Sequence, residues 1–144
     1  MRELGPGLWH WEAPHPEWEG SVRWGQLVSS YAIDDGGLLL LLDPIAPPSE
    51  IVDLAAGRLP VGVEAFPGWE HNDVVLWIEN RRAIVVGDAL VDFGKGLEIS
   101  PSAKLMTPEQ IAERLRPLLA LPVEQVLATH GGPTDRAALD RALA

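Results

Sequence analysis

Asp88 and His130 are where this chain most readily builds chemistry. Asp88 follows Gly87 at the end of the apolar run Ala83-Ile84-Val85-Val86, and His130 closes Val126-Leu127-Ala128-Thr129 just before Gly131-Gly132. A carboxylate and an imidazole at strand ends form a donor pair that suits Zn, Fe(II) or Mn(II). A third candidate, His71, lies in Pro67-Gly68-Trp69-Glu70-His71-Asn72-Asp73, directly ahead of a second apolar run at 74–78. Water on a metal held by such donors would be acidified enough to attack an ester or phosphoester near neutral pH. The same spacing fits plainer roles: a turn carboxylate bonded to backbone N–H groups, and two turn histidines. The other two histidines are less directed. In Trp9-His10-Trp11 strand alternation turns His10 away from both tryptophans. His15 sits in the turn Pro14-His15-Pro16, and no spacing aims it at the site.

The elements that must hold these residues follow from local pattern. Residues 8–11 read as an edge strand. Residues 28–33 alternate as a strand, Asp34-Asp35-Gly36-Gly37 is a hairpin turn, and Leu38–Leu42 is a buried strand ended by Asp43-Pro44. Ser49 caps a short helix that stops near Gly57. A strand is expected at 61–65, then an antiparallel pair at 74–78 and 83–86, then a Gly-containing loop over 91–102. Thr107-Pro108-Glu109-Gln110 starts a helix with a capping box, and Pro117 ends its regular part. The spacing predicts a last strand at 123–128 and a terminal helix capped by Thr134.

Composition narrows the function classes. At 144 residues the chain is about one domain. A net charge of −10 without a basic run argues against nucleic acid and against anionic membrane surfaces. The absence of cysteine removes disulfides, thiolate metal sites and cysteine nucleophiles. The longest apolar runs, at 38–42 and 74–78, are far too short to span a bilayer. The first residues lack a basic region followed by an apolar stretch, so the cytoplasm is the expected compartment. There is no Gly-x-Ser-x-Gly elbow, P-loop or dinucleotide fingerprint.

Three blocks in order resemble the metallo-β-lactamase superfamily. They are the hairpin Val-Ser-Ser-Tyr-Ala-Ile-Asp-Asp-Gly-Gly-Leu-Leu-Leu-Leu-Leu-Asp-Pro at 28–44, the Pro-Gly…strand…Gly-Asp block at 67–90, and the helix and strand at 118–130. The resemblance implies an α/β (α+β) fold. It would be a truncated αββα sandwich with mixed, largely antiparallel sheets and outer helices, a single domain over 1–144. It also implies that Asp88 is the family's bridging aspartate and His130 its last metal histidine. Two departures stand out. The His-x-His-x-Asp-His motif is absent, and the 23 residues between Asp43 and Pro67 hold no histidine. The segment reads as an internal deletion with its junction near 57–60. The family's Pro-Gly-His position is Trp69, which cannot ligate a metal; His71, on the same face of an extended chain, is the substitute. The reading is therefore a degenerate family member without catalytic activity, with a scaffold or binding role and no resident cofactor. The alternative is a residual Zn-, Fe- or Mn-dependent hydrolase of an ester, thioester, lactone or phosphoester, using Asp88, His130 and His71, its small-molecule substrate unspecified. A shortened sandwich uncovers apolar surface, so a homodimer is expected.

Overall fold

A computed structural model describes residues 1–16, 18–20, 25–35, 38–42, 62–69, 73–101 and 105–144. The class is α+β, with antiparallel and mixed sheets and two α-helices among the described residues. The chain divides into two compact units, Met1–Leu59 and Pro60–Ala144. Among the described residues no helix is long and apolar enough to cross a membrane. The helix expected from Ser49, the Gly36-Gly37 turn and the junction near 57–60 lie outside the described residues.

The first unit is an antiparallel sheet of β1 (Arg2–Gly5), β2 (Leu8–Pro14), β3 (Leu27–Asp35) and β4 (Leu38–Leu42), in that spatial order. The segment read as an edge strand is thus an interior one, hydrogen-bonded on both sides. The reason is a tight turn at Pro6-Gly7. Gly7 has φ 70°, a conformation that costs glycine nothing, and its N–H donates to the Glu3 carboxylate at 3.1 Å. That turn folds Arg2–Gly5 back as the edge. β3 and β4 pair antiparallel with Asp35 opposite Leu38, the register of a two-residue hairpin. In β2 the residues Leu8 and His10 are buried while Trp9 and Trp11 are half-buried, as strand alternation requires.

The second unit contains β5 (Val63–Pro67), β6 (Val74–Ile78), β7 (Ala83–Val85), β8 (Leu90–Val91), β9 (Glu98–Ile99), α1 (Pro108–Leu115), β10 (Gln125–Ala128), β11 (Gly132–Asp135) and α2 (Arg136–Ala142). Its main sheet runs β11-β10-β7-β6-β5, antiparallel except for the parallel pair β10 and β7. β6 and β7 are joined by a single 3-10 turn, Glu79–Arg81, which Arg82 ends in a left-handed conformation. The segment expected to be only a loop carries the two-stranded ribbon of β8 and β9.

α1 begins as the capping box predicts. Thr107 accepts from the Gln110 N–H, and Gln110 accepts from the Thr107 N–H at 2.9 Å. Pro117 lacks an amide hydrogen, and from Arg116 the chain continues as a 3-10 turn to Ala120. α2 differs from expectation: its cap is Asp135, whose carboxylate accepts from the Ala138 N–H at 2.9 Å. Thr134 belongs instead to β11, opposite Val126. Ile111, Leu115, Leu118, Leu139 and Leu143 pack with Val75, Trp77, Ile84 and Val126 in one buried cluster, so both helices cover the same sheet.

Candidate metal centre

The parallel pair positions the two strand-end residues. Ala83 lies opposite Gln125, Ile84 opposite Val126 and Val85 opposite Leu127, and the Val86 N–H donates to the Leu127 carbonyl. Parallel neighbours end on the same rim of a sheet. Asp88 and His130, which follow these strands, therefore emerge side by side. His130 Nε2 stands 3.4 Å from Asp88 Oδ1. The contact is an ion pair only when His130 carries a second proton.

His130 is held from several directions and its side chain is only 16% exposed. Its carbonyl accepts from the Asp92 N–H at 2.8 Å, and the Phe93 ring meets its imidazole edge-on with centroids 6.1 Å apart. A Cβ at Gly131 would stand 2.6 Å from the Asp92 Cβ, so only glycine lets the two turns approach this closely. Asp92 in turn gathers its own loop, with Oδ1 accepting from the Gly94 N–H at 2.8 Å and the Gly96 N–H at 3.0 Å.

Asp88 is more open, its side chain 56% exposed. Its backbone is set by a residue the sequence reading passed over, Asp73. The Asp73 carboxylate accepts from the Asp88 N–H at 3.3 Å through one oxygen and from the Trp69 N–H at 3.0 Å through the other. Its carbonyl accepts from the Gly68 N–H at 2.9 Å. Gly68 and Gly87 press against the same carboxylate: a Cβ at either would come within 2.0 Å and 2.4 Å of its oxygens. Gly87 is distant from Asp73 in sequence, so no short window shows this contact.

Two ligands of a tetrahedral metal with bonds of about 2.0–2.2 Å stand roughly 3.3–3.6 Å apart, so the Asp88–His130 spacing is compatible with a shared cation. A catalytic zinc site needs three protein ligands. No group of three histidine, aspartate, glutamate or cysteine side chains able to hold a metal exists among the described residues. Asp73 is committed to backbone N–H groups, and Trp69, in a bend beyond β5, brings an indole rather than a ligand. His71 lies outside the described residues. The described residues thus supply two of the three protein ligands that a catalytic zinc needs.

The other histidines belong to the first unit. His10 is 8% exposed, bonds Ser29 Oγ through Nε2 at 2.9 Å, and stacks on Tyr31 at 5.1 Å. Burial pushes its pKa below the ordinary 6.5; Arg2 and the N-terminus act in the same direction and Glu12 opposes. The His15 backbone closes the strand-end turn by donating to the Gln26 carbonyl at 2.9 Å.

No protein-family model matches the chain, and neither does any curated protein sequence.

Proposed function

We propose that this chain is a shortened metallo-β-lactamase-like sandwich whose metal centre has been dismantled, and that it acts as a scaffold or binding protein rather than a hydrolase. One observation carries the reading. Asp88 and His130 sit together on the rim of the parallel strand pair, at the positions that the resemblance assigns to metal ligands, while Trp69 occupies the remaining ligand position of that block. Asp73, which could have been recruited, is instead bonded to the main chain on both sides. A pair of donors binds a divalent ion too weakly to keep it resident through purification.

The test is metal content per chain, by elemental mass spectrometry on protein prepared without chelator or histidine tag. Content well below one ion per chain, unchanged in Asp88→Asn, is the expected result. Near-stoichiometric Zn, Fe or Mn that disappears in Asp88→Asn would overturn it.

A second reading is favoured by the 3.4 Å contact itself, which matches ligands sharing one ion. In that reading the chain is a residual metal-dependent hydrolase of an ester, thioester, lactone or phosphoester, with His71 as third donor. His71→Ala would then cost metal affinity at least as much as Asp88→Asn.

The same resemblance supports a homodimer, because a family fold without one of its segments leaves apolar surface for a second copy to cover. Light scattering at twice the chain mass is expected, and a monomer over a broad concentration range would refute it.

A further inference from the structure

A second feature lies in the Pro60–Ala144 unit at the other end of β7 from Asp88. Gly62, Val63 and Glu64 from β5 and its approach, Trp77 and Glu79 from β6 and its end, Arg82, and the pair Leu121 and Pro122 enclose a groove of about 680 Å³. That volume is within the range that binds small molecules or a few residues of peptide.

Its chemistry is uneven. The Arg82 guanidinium is already engaged, with Glu124 at 2.5 Å and with the Pro122 carbonyl at 3.0 Å. Glu64 and Glu79 are exposed and have no ion-pair or hydrogen-bond partner for their carboxylates among the described residues. Trp77 is 5% exposed and lies opposite Glu64 across the β5–β6 ladder, so the two share a face. Its ring lines the groove. The groove thus offers two carboxylates without a partner among the described residues, the Trp77 ring, and an apolar lining of Val63, Leu121 and Pro122. Beside it runs β5, which among the described residues is paired on one side only.

From this we propose that the groove binds an extended, Lys- or Arg-bearing peptide segment of a partner protein. Such a segment supplies cations for Glu64 and Glu79, apolar side chains for the lining and the Trp77 ring, and main-chain groups for the side of β5 that is unpaired among the described residues. Strand addition to a sheet edge is a recurrent mode of peptide recognition. An acidic or neutral segment would leave both carboxylates unpaired. The proposal does not depend on the state of Asp88 and His130.

The experiment is fluorescence polarisation with the labelled probe Val-Lys-Val-Lys-Val, N-acetylated and C-amidated, at about 0.15 M salt, where charges beyond roughly 8 Å are screened. Binding is expected for this probe and not for its Val-Glu-Val-Glu-Val counterpart. Glu64→Gln with Glu79→Gln should weaken it roughly threefold to tenfold, two modest charge pairs being lost. Glu12→Gln with Glu98→Gln makes the same change in net charge elsewhere and should leave it within twofold, as should Asp88→Asn. In ¹H–¹⁵N spectra the Trp77 indole signal should shift on titration. Equal losses in both double variants would reduce the effect to the net charge of the chain and overturn the proposal. So would binding of N-acetyl-lysine amide as tight as that of the peptide, which would make the groove a small-cation site. Absence of probe binding to the parent protein would overturn it outright.

Discussion

Replacing Asp73 by alanine tests whether one carboxylate fixes the candidate site. The side chain accepts two backbone N–H groups from two different loops, at 3.0 Å from Trp69 and 3.3 Å from Asp88. A hydrogen bond to a charged group contributes about 1.5–3 kcal/mol net when it is well made and shielded. The Trp69 bond is part-buried and falls in that range. The Asp88 bond is longer and exposed, so water replaces it at a cost of about 0.5–1 kcal/mol. Together these losses put the cost of Asp73→Ala at about 2–4 kcal/mol. Asp73→Asn keeps one acceptor, which will face Trp69, and turns an NH2 toward the Asp88 N–H; it should cost less than alanine but more than zero. Urea denaturation followed by tryptophan fluorescence measures both, with an unchanged slope as the sign that the denatured state is unaffected. Amide exchange should speed up at Trp69 and Asp88 first. The packing gives an independent check. A Cβ at Gly68 would meet the Asp73 carboxylate at 2.0 Å. Gly68→Ala should therefore be more costly in the parent than in Asp73→Ala, where only the main-chain carbonyl of residue 73 at 2.9 Å still crowds the new Cβ, with a coupling of about 1 kcal/mol or more in a double-mutant cycle. A cost below about 0.5 kcal/mol for Asp73→Ala, well under the range for a shielded charged bond, or simple additivity with Gly68→Ala, would refute this account.

Gly131→Ala should destabilise by about 2 kcal/mol or more and broaden the His130 imidazole signals in NMR, since φ at 131 is +122° and the new Cβ would collide with Asp92; a neutral effect would show that the turn is not constrained. Thr107→Ala should cost about 1 kcal/mol in thermal or urea unfolding, from loss of the helix cap. Thr107→Ser keeps the capping hydroxyl and should retain most of that stability; equal losses in the two variants would show that the hydroxyl is not what caps the helix. His10 predicts a pH effect. Folding holds its pKa below the ordinary 6.5, so at mildly acid pH the unfolded chain binds a proton that the folded chain does not. Its contribution is therefore fully present above pH 6.5 and is lost as pH falls below that value. His10→Gln should flatten stability between about pH 7 and 5 relative to the parent; an unchanged slope in that window would show that His10 is not responsible.

What was legible in the sequence was whatever a short window encodes. The capping box at Thr107 and Gln110, the interruption at Pro117 and the apolar runs of β6, β7 and β10 each rest on neighbouring residues, and each is where the local pattern placed it. β11 was hidden because Gly-Pro-Thr-Asp contains little that favours a strand. Its extended form comes from pairing with β10, in a register running from Ala128 opposite Gly132 to Gln125 opposite Asp135. That pairing also explains the cap of α2: once Thr134 is part of the ladder, the next side chain able to cap is Asp135.

The candidate site was half legible for the same reason. Asp88 and His130 announce themselves because Gly-Asp and His-Gly-Gly end apolar runs, but those signals also fit ordinary turns. What brings the two side chains to 3.4 Å is that β7 and β10 are neighbours and parallel, a fact of topology that no window contains. Parallel neighbours need a long crossover connection, and here the crossover includes the β8–β9 ribbon and α1. Asp73 is hidden more deeply still. Its role exists only where the turn at 68–69 meets the turn at 87–88, and glycine at 68 and 87 records that meeting by the absence of a side chain. A glycine kept for close approach looks the same in sequence as one kept for a turn. The structure separates the two: Gly68 is kept for close approach alone, whereas Gly87 has φ 48° and also crowds the same carboxylate, so the backbone that carries Asp88 is fixed whether or not a metal is ever bound.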